Sequence, residues 1–186
     1  SNESTFKILK KFKKIDKRIA LIRNSENLGV TKSLNKALAK ASGKYIVRMD
    51  ADDWSYPERF QMQTGLMKTH PNVVVSGSYI EVCDSNLKIK YIRKYPHDDA
   101  NIRKHIFRYS PFAHPVTILK AEVLKKERYN EAINVAQDYE LYFRVGKLGK
   151  FMNLDKPLLK LRMHKQSIST IMSNAQSKNT ILIRLN

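Results

Sequence analysis

An open α/β fold, a mostly parallel sheet with flanking helices, is the class that this sequence predicts. Three observations carry the prediction. Helix-period and strand-period segments alternate over the first half of the chain in the order α, β, α, β, α, β, and such an order asks for crossover helices packed on a sheet. The run Tyr45-Ile46-Val47-Arg48-Met49 reads as a buried strand and leads straight into Asp50-Ala51-Asp52-Asp53; the carboxyl ends of strands are where open α/β sheets hold ligands. Finally, 186 residues with 42% hydrophobic content suffice for one domain with a real core.

The elements follow in order. Phe6, Ile8, Leu9, Phe12 and Ile15 recur at helical spacing with lysines between them, which predicts a helix over 4–15. Arg18–Ile22 is a short apolar strand, and Asn24–Gly29 a turn-rich loop. Leu34, Ala37, Leu38 and Ala41 share one face of a helix from about Val30 to Ala41, with Gly43 past its end as a C′ glycine. After the strand ending at Asp50, Pro57 reads as the first residue of a helix, where its missing N–H costs nothing. His70-Pro71 closes that helix.

Val73–Ile80 is a β-branched strand, and Asp84-Ser85-Asn86 turns it back into Leu87–Arg93 as a hairpin. Asp98–Tyr109 reads as a helix, Val116–Leu119 as a strand and Asp138–Leu148 as a helix. Phe151–Leu154 and Leu158–Met163 read as two short strands. Residues 165–186 are polar and weakly patterned, so the expected organisation is one domain over 1–164 and a C-terminal tail over 165–186. A sheet of this kind normally opens on a strand, whereas this chain opens on a helix; the first strand is expected to be missing from the N-terminus.

Several classes are excluded or narrowed by composition. No run of 18 apolar residues occurs, which argues against a transmembrane helix. The start has neither a basic nor an apolar signal-peptide region. The lone Cys83 leaves no internal disulfide to form and fits a reducing compartment. A net charge of +18 points to nucleic acid, an anionic membrane surface or phosphorylated small molecules. The nucleic-acid alternative predicts an arginine-rich face, yet the chain carries 11 Arg against 24 Lys. The one dense cluster, Lys7 to Lys14, reads as the solvated face of an amphipathic helix, with attraction to an anionic membrane as its rival.

Chemistry concentrates at a few positions. Asp50, Asp52 and Asp53 are hard oxygen ligands suited to Mg²⁺ or Mn²⁺, and they also suit an acidic turn capping the next helix. Asp138, in Gln137-Asp138-Tyr139-Glu140-Leu141, is either an acid at a helix N-terminus or a general base for a hydroxyl. His164, after Leu161-Arg162-Met163, is a surface histidine or an imidazole completing a metal site. His114-Pro115 reads as a shaped turn. Asn27-Leu28-Gly29 opens a helix where backbone N–H groups suit an anion, so Asn27 and Gly29 are candidate walls for a nucleotide. No glycine-rich phosphate loop, zinc-type Cys/His spacing or Ser/His/Asp set can be named.

In order along the chain, these segments resemble the inverting family 2 glycosyltransferases. The resemblance covers roughly residues 3–170. Asn27-Leu-Gly29 with Asn35, then Gly43-Lys-Tyr45-Ile, is similar to the family's N-x-G…N…G-x-Y-I segment. Arg48-Met49-Asp50-Ala51-Asp52-Asp53 with Pro57-Glu58-Arg59-Phe60 and Gln63 is similar to its D-x-D block, especially in bacterial enzymes of capsule, exopolysaccharide and lipopolysaccharide synthesis. His114-Pro115, Gln137–Leu141 and Arg162-Met163-His164 with Ser169 resemble its later, acceptor-side motifs. Where relatives often carry a Gly-Gly-Tyr turn, this chain has Glu127-Arg128-Tyr129.

The resemblance implies a GT-A fold, a Rossmann-like mostly parallel sheet with flanking helices, here lacking its first strand and the nucleotide-gripping loop after it. It implies hexosyl or N-acetylhexosaminyl transfer, with inversion, from a nucleotide-diphosphate sugar, UDP by first choice, to a glycan or lipid-linked acceptor. Asp50 would contact the nucleotide's ribose or base region. Asp52, with His164, would bind a Mn²⁺ or Mg²⁺ ion on the diphosphate, and Asp138 would deprotonate the acceptor hydroxyl. The expected location is the cytoplasm, at the inner face of the membrane if the lysine-rich helix docks there. A GT-A fragment without activity is the alternative the missing strand keeps open.

Overall fold

The structure is a computed structural model that describes residues 3–164 and 173–185. Its order is α1 (Glu3–Ile15), α2 (Gly29–Lys40), β1 (Tyr45–Val47), β2 (Trp54–Ser55), α3 (Arg59–Thr69), β3 (Val73–Cys83), β4 (Ile89–Arg93), α4 (Asp99–Ile106), a 3-10 turn (His114–Val116), β5 (Ile118–Lys120), α5 (Ala121–Glu127), α6 (Gln137–Val145), β6 (Lys150–Arg162) and α7 (Ser173–Leu185).

The strands form one six-stranded sheet in the order β1-β5-β3-β6-β2, with β4 on the outer end of β3. The α/β class holds, and the strand directions are more mixed than the alternating pattern predicts. β3 and β6 pair in parallel, while the β1–β5, β3–β5, β3–β4 and β2–β6 pairs are antiparallel. Because β5 is antiparallel to both β1 and β3, those two strands point the same way and α3 is their crossover, as the pattern asks. β5 then enters between them from the opposite direction. β3 is buried along almost its whole length and is the spine of the sheet. The main core lies between the sheet and α4–α6, where Val75, Ile102, Leu119, Leu141, Tyr142 and Phe151 interlock.

Several local expectations need correction. Arg18–Ile22 joins no ladder, because a strand is defined by pairing and no described strand lies beside it; Ile22 is exposed. α2 leaves its helix through Ala41, whose N–H bonds to the carbonyls of Ala37 and Leu38. Gly43 is not among the residues with positive φ, so it is no C′ glycine. Pro57 and Glu58 form a turn ahead of α3, which starts at Arg59. The two strands expected over 151–163 are one, β6: the register shifts around Tyr79 absorb Pro157, opposite it, without breaking the ladder. The weak pattern after residue 164 concealed helix α7, whose Asn179 Nδ2 donates to the Val135 carbonyl at 3.1 Å. Ser169 lies outside the described residues. Among the described residues no helix is long and apolar enough to cross a membrane.

Candidate functional site

A cleft of about 930 Å³ opens at the end of β1. Asp50, Asp52, Asp53, Asp138 and His164 all line it, together with Arg48, Arg93, His114 and Arg162. Five of the seven candidate ligands, bases and nucleotide contacts singled out in the sequence therefore meet in one place, from segments as far apart as 50 and 164. Asn27 and Gly29 are not in the lining; Val30 represents their loop there. The Asn27 side chain is turned to its own backbone, its Oδ1 accepting from the Gly29 N–H at 3.1 Å, and Gly29 takes a φ of +73° that favours glycine.

Chain geometry sets the three acidic residues apart. The β1 ladder ends at Val47, Arg48 adds one bond to the Thr117 carbonyl at 3.0 Å, and the chain then turns through Asp50–Asp53 into β2. None of the three caps α3, whose N-cap position is Glu58. Asp53 points inward. Its Oδ1 accepts from the Arg162 N–H at 3.0 Å, and its Oδ2 is buried with no hydrogen-bond partner. Burial first, then the nearby Asp50 and Asp52 charges, push its carboxyl up to about 6, against the pull of the Arg162 N–H and of Arg48. Asp50 and Asp52 face the cleft with 44% and 48% of their side chains exposed. Asp50 Oδ2 lies 2.5 Å from Arg48 Nη1, and Asp52 Oδ2 lies 3.0 Å from His164 Nε2.

The Asp52–His164 pair sits where β6 ends beside the acidic turn. Arg162 staples the two together: its Nε donates to the Asp52 carbonyl at 2.8 Å, and its Nη1 donates to the Ser85 carbonyl. Among the described residues no three His, Cys, Asp or Glu side chains converge as a closed metal cage. A carboxylate and an imidazole in contact suit an open site instead. Mg²⁺ and Mn²⁺ ions commonly keep most positions for water and substrate phosphate, and imidazole favours Mn²⁺ of the two. The donor set thus fits a divalent ion with coordination positions left open.

Asp138 reaches the same cleft from the first turn of α6. The residue before the helix, Ala136, is buried and held at φ +63°, a left-handed conformation that alanine adopts at a cost. The Asp138 carboxyl opens partly to the cleft but is otherwise surrounded by protein. Burial pushes its pKa up; the N–H groups of Asp138 and Tyr139 and the charge of Arg48 pull down, and Asp50 pushes up. His114, also in the cleft lining, is more than a shaped turn: its ring Nε2 lies 2.9 Å from the Tyr129 hydroxyl. Burial and the Arg48 charge hold this imidazole well below the ordinary histidine range, so it is neutral.

The residues that hold this arrangement were inside the recognised motifs but had no role assigned to them. Arg59 is fully buried; its Nη2 donates to the Arg48 carbonyl at 2.7 Å and its Nε to Gln63 Oε1 at 3.0 Å. Gln63 Nε2 continues to the Val116 carbonyl at 2.6 Å. Burial lowers the Arg59 guanidinium to about 10, still charged at neutral pH. On the other side, Asn35 is buried in α2 and clamps the loop before Asp138: Nδ2 donates to the Tyr129 carbonyl at 2.8 Å, and Oδ1 accepts from the Tyr129 N–H at 3.0 Å. Thr31 Oγ1 donates to the Ile133 carbonyl at 2.9 Å. Polar residues on a helix's apolar face are the signal that could have found them, since burial demands partners.

Comparison with known proteins gives a consistent answer. The family model described as glycosyl transferase family 2 matches residues 1–145. An uncharacterised glycosyltransferase of Methanocaldococcus jannaschii is 33% identical over 165 residues, covering 88% of this chain and 57% of the relative. The O-antigen biosynthesis glycosyltransferase WbnJ of Escherichia coli is 32% identical, over 87% of this chain and 63% of its own. The amylovoran biosynthesis glycosyltransferase AmsE of Erwinia amylovora is 31% identical, over 77% and 54%. The chain thus spans a little over half the length of these curated relatives. Among solved structures, residues 1–349 of Staphylococcus aureus TarS with UDP-GlcNAc superpose with a TM-score of 0.70 at 18% identity, over 88% of this chain and 47% of that one. The Pyrobaculum calidifontis mannosyltransferase PcManGT, with GDP-Man and Mn²⁺, gives 0.65 at 14%, over 99% and 51%. At such identities the likeness establishes the GT-A fold.

Proposed function

The chain belongs to glycosyltransferase family 2, and on that premise we propose that it carries the donor and base sites of an inverting transferase. Such an enzyme moves a sugar from a nucleotide diphosphate to an acceptor hydroxyl in cell-surface polysaccharide synthesis. The observation that carries this reading is the meeting of Asp50, Asp52, His164 and Asp138 around one cleft. Asp52 and His164 would hold the divalent ion, which when bound neutralises charge on the departing nucleoside diphosphate. Asp50 would accept a hydrogen bond from the nucleotide. Asp138 takes the proton of the acceptor hydroxyl as its oxygen forms a bond to the anomeric carbon. The bond from that carbon to the diphosphate breaks on the opposite face, and the centre inverts. A carboxyl pushed up by burial is a better base at neutral pH than one in water.

Donor and acceptor identity belong to the same proposal. The two solved neighbours carry UDP-GlcNAc and GDP-Man, and two relatives are named for O-antigen and amylovoran synthesis. These names support a UDP-linked hexose or N-acetylhexosamine donor and a glycan or lipid-linked acceptor. The basic face of α1, with Lys7, Lys10, Lys11, Lys13 and Lys14, supports peripheral attachment to anionic lipid at the cytoplasmic surface. Absence of low-salt co-sedimentation with anionic vesicles would remove that last element.

The test uses the full-length polypeptide, a panel of UDP- and GDP-sugars and Mn²⁺, with release of nucleoside diphosphate as the readout. Asp138→Asn is expected to lower turnover by about 10²–10⁴-fold while leaving calorimetric binding of UDP with Mn²⁺ intact. Full turnover in that variant, or no nucleotide binding by the unaltered protein, overturns the reading.

A further inference from the structure

One half of the sheet carries an exposed face that has no part in the reaction described above. Directly paired residues share a face, and the row Trp54–Lys160–Glu81–Ile92 runs across β2, β6, β3 and β4. The register shift between Val82 and Cys83 takes up Lys90, so Ile89 pairs with Cys83 and joins Ile92 on this face. Strict alternation would have set the two isoleucines on opposite faces. Trp54, Ile89 and Ile92 are 40%, 46% and 48% exposed. Their surroundings are ordered by contacts on the same face. Trp54 meets Tyr56 edge to face with ring centres 4.7 Å apart, and Lys160 Nζ lies 5.3 Å and 5.8 Å from those two rings. The Tyr56 hydroxyl donates to Glu81 Oε2 at 2.7 Å.

We infer that this face is a docking surface for a bilayer with anionic headgroups, Trp54, Ile89 and Ile92 entering the boundary between headgroups and acyl chains. Charge decides the occupant. Lys88, Lys90, Arg93 and Lys94 put four cations on and beside β4 with no acid between them, and Lys160 adds another. The carboxylates nearby are engaged within the protein. Glu81 holds Tyr56, Glu58 pairs with Lys156 at 3.0 Å, and Asp84 accepts the N–H groups of Asn86 and Lys88 in the hairpin turn. Half-exposed isoleucines and an indole among lysines match a membrane interface, anionic at its surface and apolar beneath. A second copy fits worse. Among the described strands β4 pairs only with β3, but pairing its free edge with its twin would set the same cations against each other. The surface also adjoins the cleft: Trp54 follows Asp53 directly, and Arg93, Lys94, Leu161 and Arg162 line the cleft from the ends of β4 and β6. Docking there holds the cleft at the membrane surface. The inference rests neither on α1 nor on the roles given to Asp52, Asp138 and His164.

The test is binding of the full-length protein to vesicles of equimolar phosphatidylglycerol and phosphatidylcholine, followed by co-sedimentation and by fluorescence with brominated acyl chains. Trp54 emission is the difference between the unaltered protein and Trp54→Phe. Brominated vesicles should quench most of that emission, and Ile89→Asp/Ile92→Asp should raise the apparent Kd about tenfold or more. Vesicles of phosphatidylcholine alone should bind about tenfold more weakly or worse. Both isoleucines are exposed, so the double variant should keep its thermal unfolding midpoint. Unchanged affinity in that variant overturns the inference, even where neutralising the α1 lysines abolishes binding. Trp54 emission left unquenched in the bound protein overturns it too, as does a solution dimer that the double variant dissociates. If Trp54→Phe does not fold, the isoleucine variant decides alone. Nucleotide binding and turnover without vesicles report on the transferase reading separately, so either can fail without the other.

Discussion

α1 and α2 are amphipathic helices of nearly equal length, 13 and 12 residues, and they meet opposite fates. α2 buries Thr31, Asn35 and Leu38, whereas α1 buries nothing. Ile8, Phe12 and Ile15 of α1 are 57%, 54% and 71% exposed. An apolar stripe is therefore not what separates the two. α2 is held by polar side chains that reach about a hundred residues along the chain, Thr31 to Ile133 and Asn35 to Tyr129. The same device recurs where Arg59 and Gln63 of α3 grip Arg48 and Val116. In this protein, buried hydrogen bonds from helices to distant loops fix the geometry of the cleft, and apolar burial supplies the cohesion around them.

The largest effect expected of a polar substitution removes one of those clamps. Asn35→Ala leaves both the N–H and the carbonyl of Tyr129 buried without their partner, a loss of about 3 kcal/mol at 1–3 kcal/mol per orphaned group. Urea unfolding measures it, and a loss below about 1 kcal/mol would show that the 129–135 loop is held by something else. Since that loop leads into Asp138, the variant should also bind UDP and Mn²⁺ normally yet turn over slowly, separating the two walls of the cleft.

These clamps explain how much could be read in advance. Asp50, Asp52, Asp138 and His164 were legible because carboxylates and an imidazole at strand and helix ends are chemically conspicuous. The roles of Arg48, Asn35, Arg59 and Gln63 were not, although the recognised motifs contain all four, because a polar residue on a helix or strand looks solvated until the fold covers it. Helix periods located α2, α3 and α6 to within a few residues. The period-2 signal failed at Arg18–Ile22, where no described strand lies beside the apolar residues, and at Pro157, where extra residues in β6 itself bulge out and carry the ladder past a residue that usually ends one.

An intermediate effect has the opposite sign. Arg128 stands at φ +50° and ψ 164°, next to a region essentially reserved for glycine. The turn holds this conformation without the residue that suits it best. Arg144 makes this possible: Nη1 donates to the Glu127 carbonyl and Nη2 to the Arg128 carbonyl, both at 2.7 Å. Arg128→Gly should therefore stabilise the fold by about 1 kcal/mol, relief of backbone strain exceeding glycine's entropic cost. Thermal unfolding checks it, and a destabilised variant would mean that the exposed Arg128 side chain contributes more than its backbone costs.

The smallest effect is expected in α1, and its smallness is the point. A phenylalanine taken fully out of water contributes roughly 1.5–3 kcal/mol, but Phe12 remains more than half exposed and α1 has no buried residue. Phe12→Ser should then change the unfolding free energy of this chain by less than about 0.5 kcal/mol, the range for surface positions. Leu38→Ala on α2, by contrast, removes a side chain that is 6% exposed in the main core and should cost about 2–5 kcal/mol. A cost for Phe12→Ser near that of Leu38→Ala would erase the contrast between the helices. It would mean that the apolar face of α1 is covered in solution, and that an amphipathic stripe alone anchors this end of the molecule as firmly as the buried hydrogen bonds anchor the other.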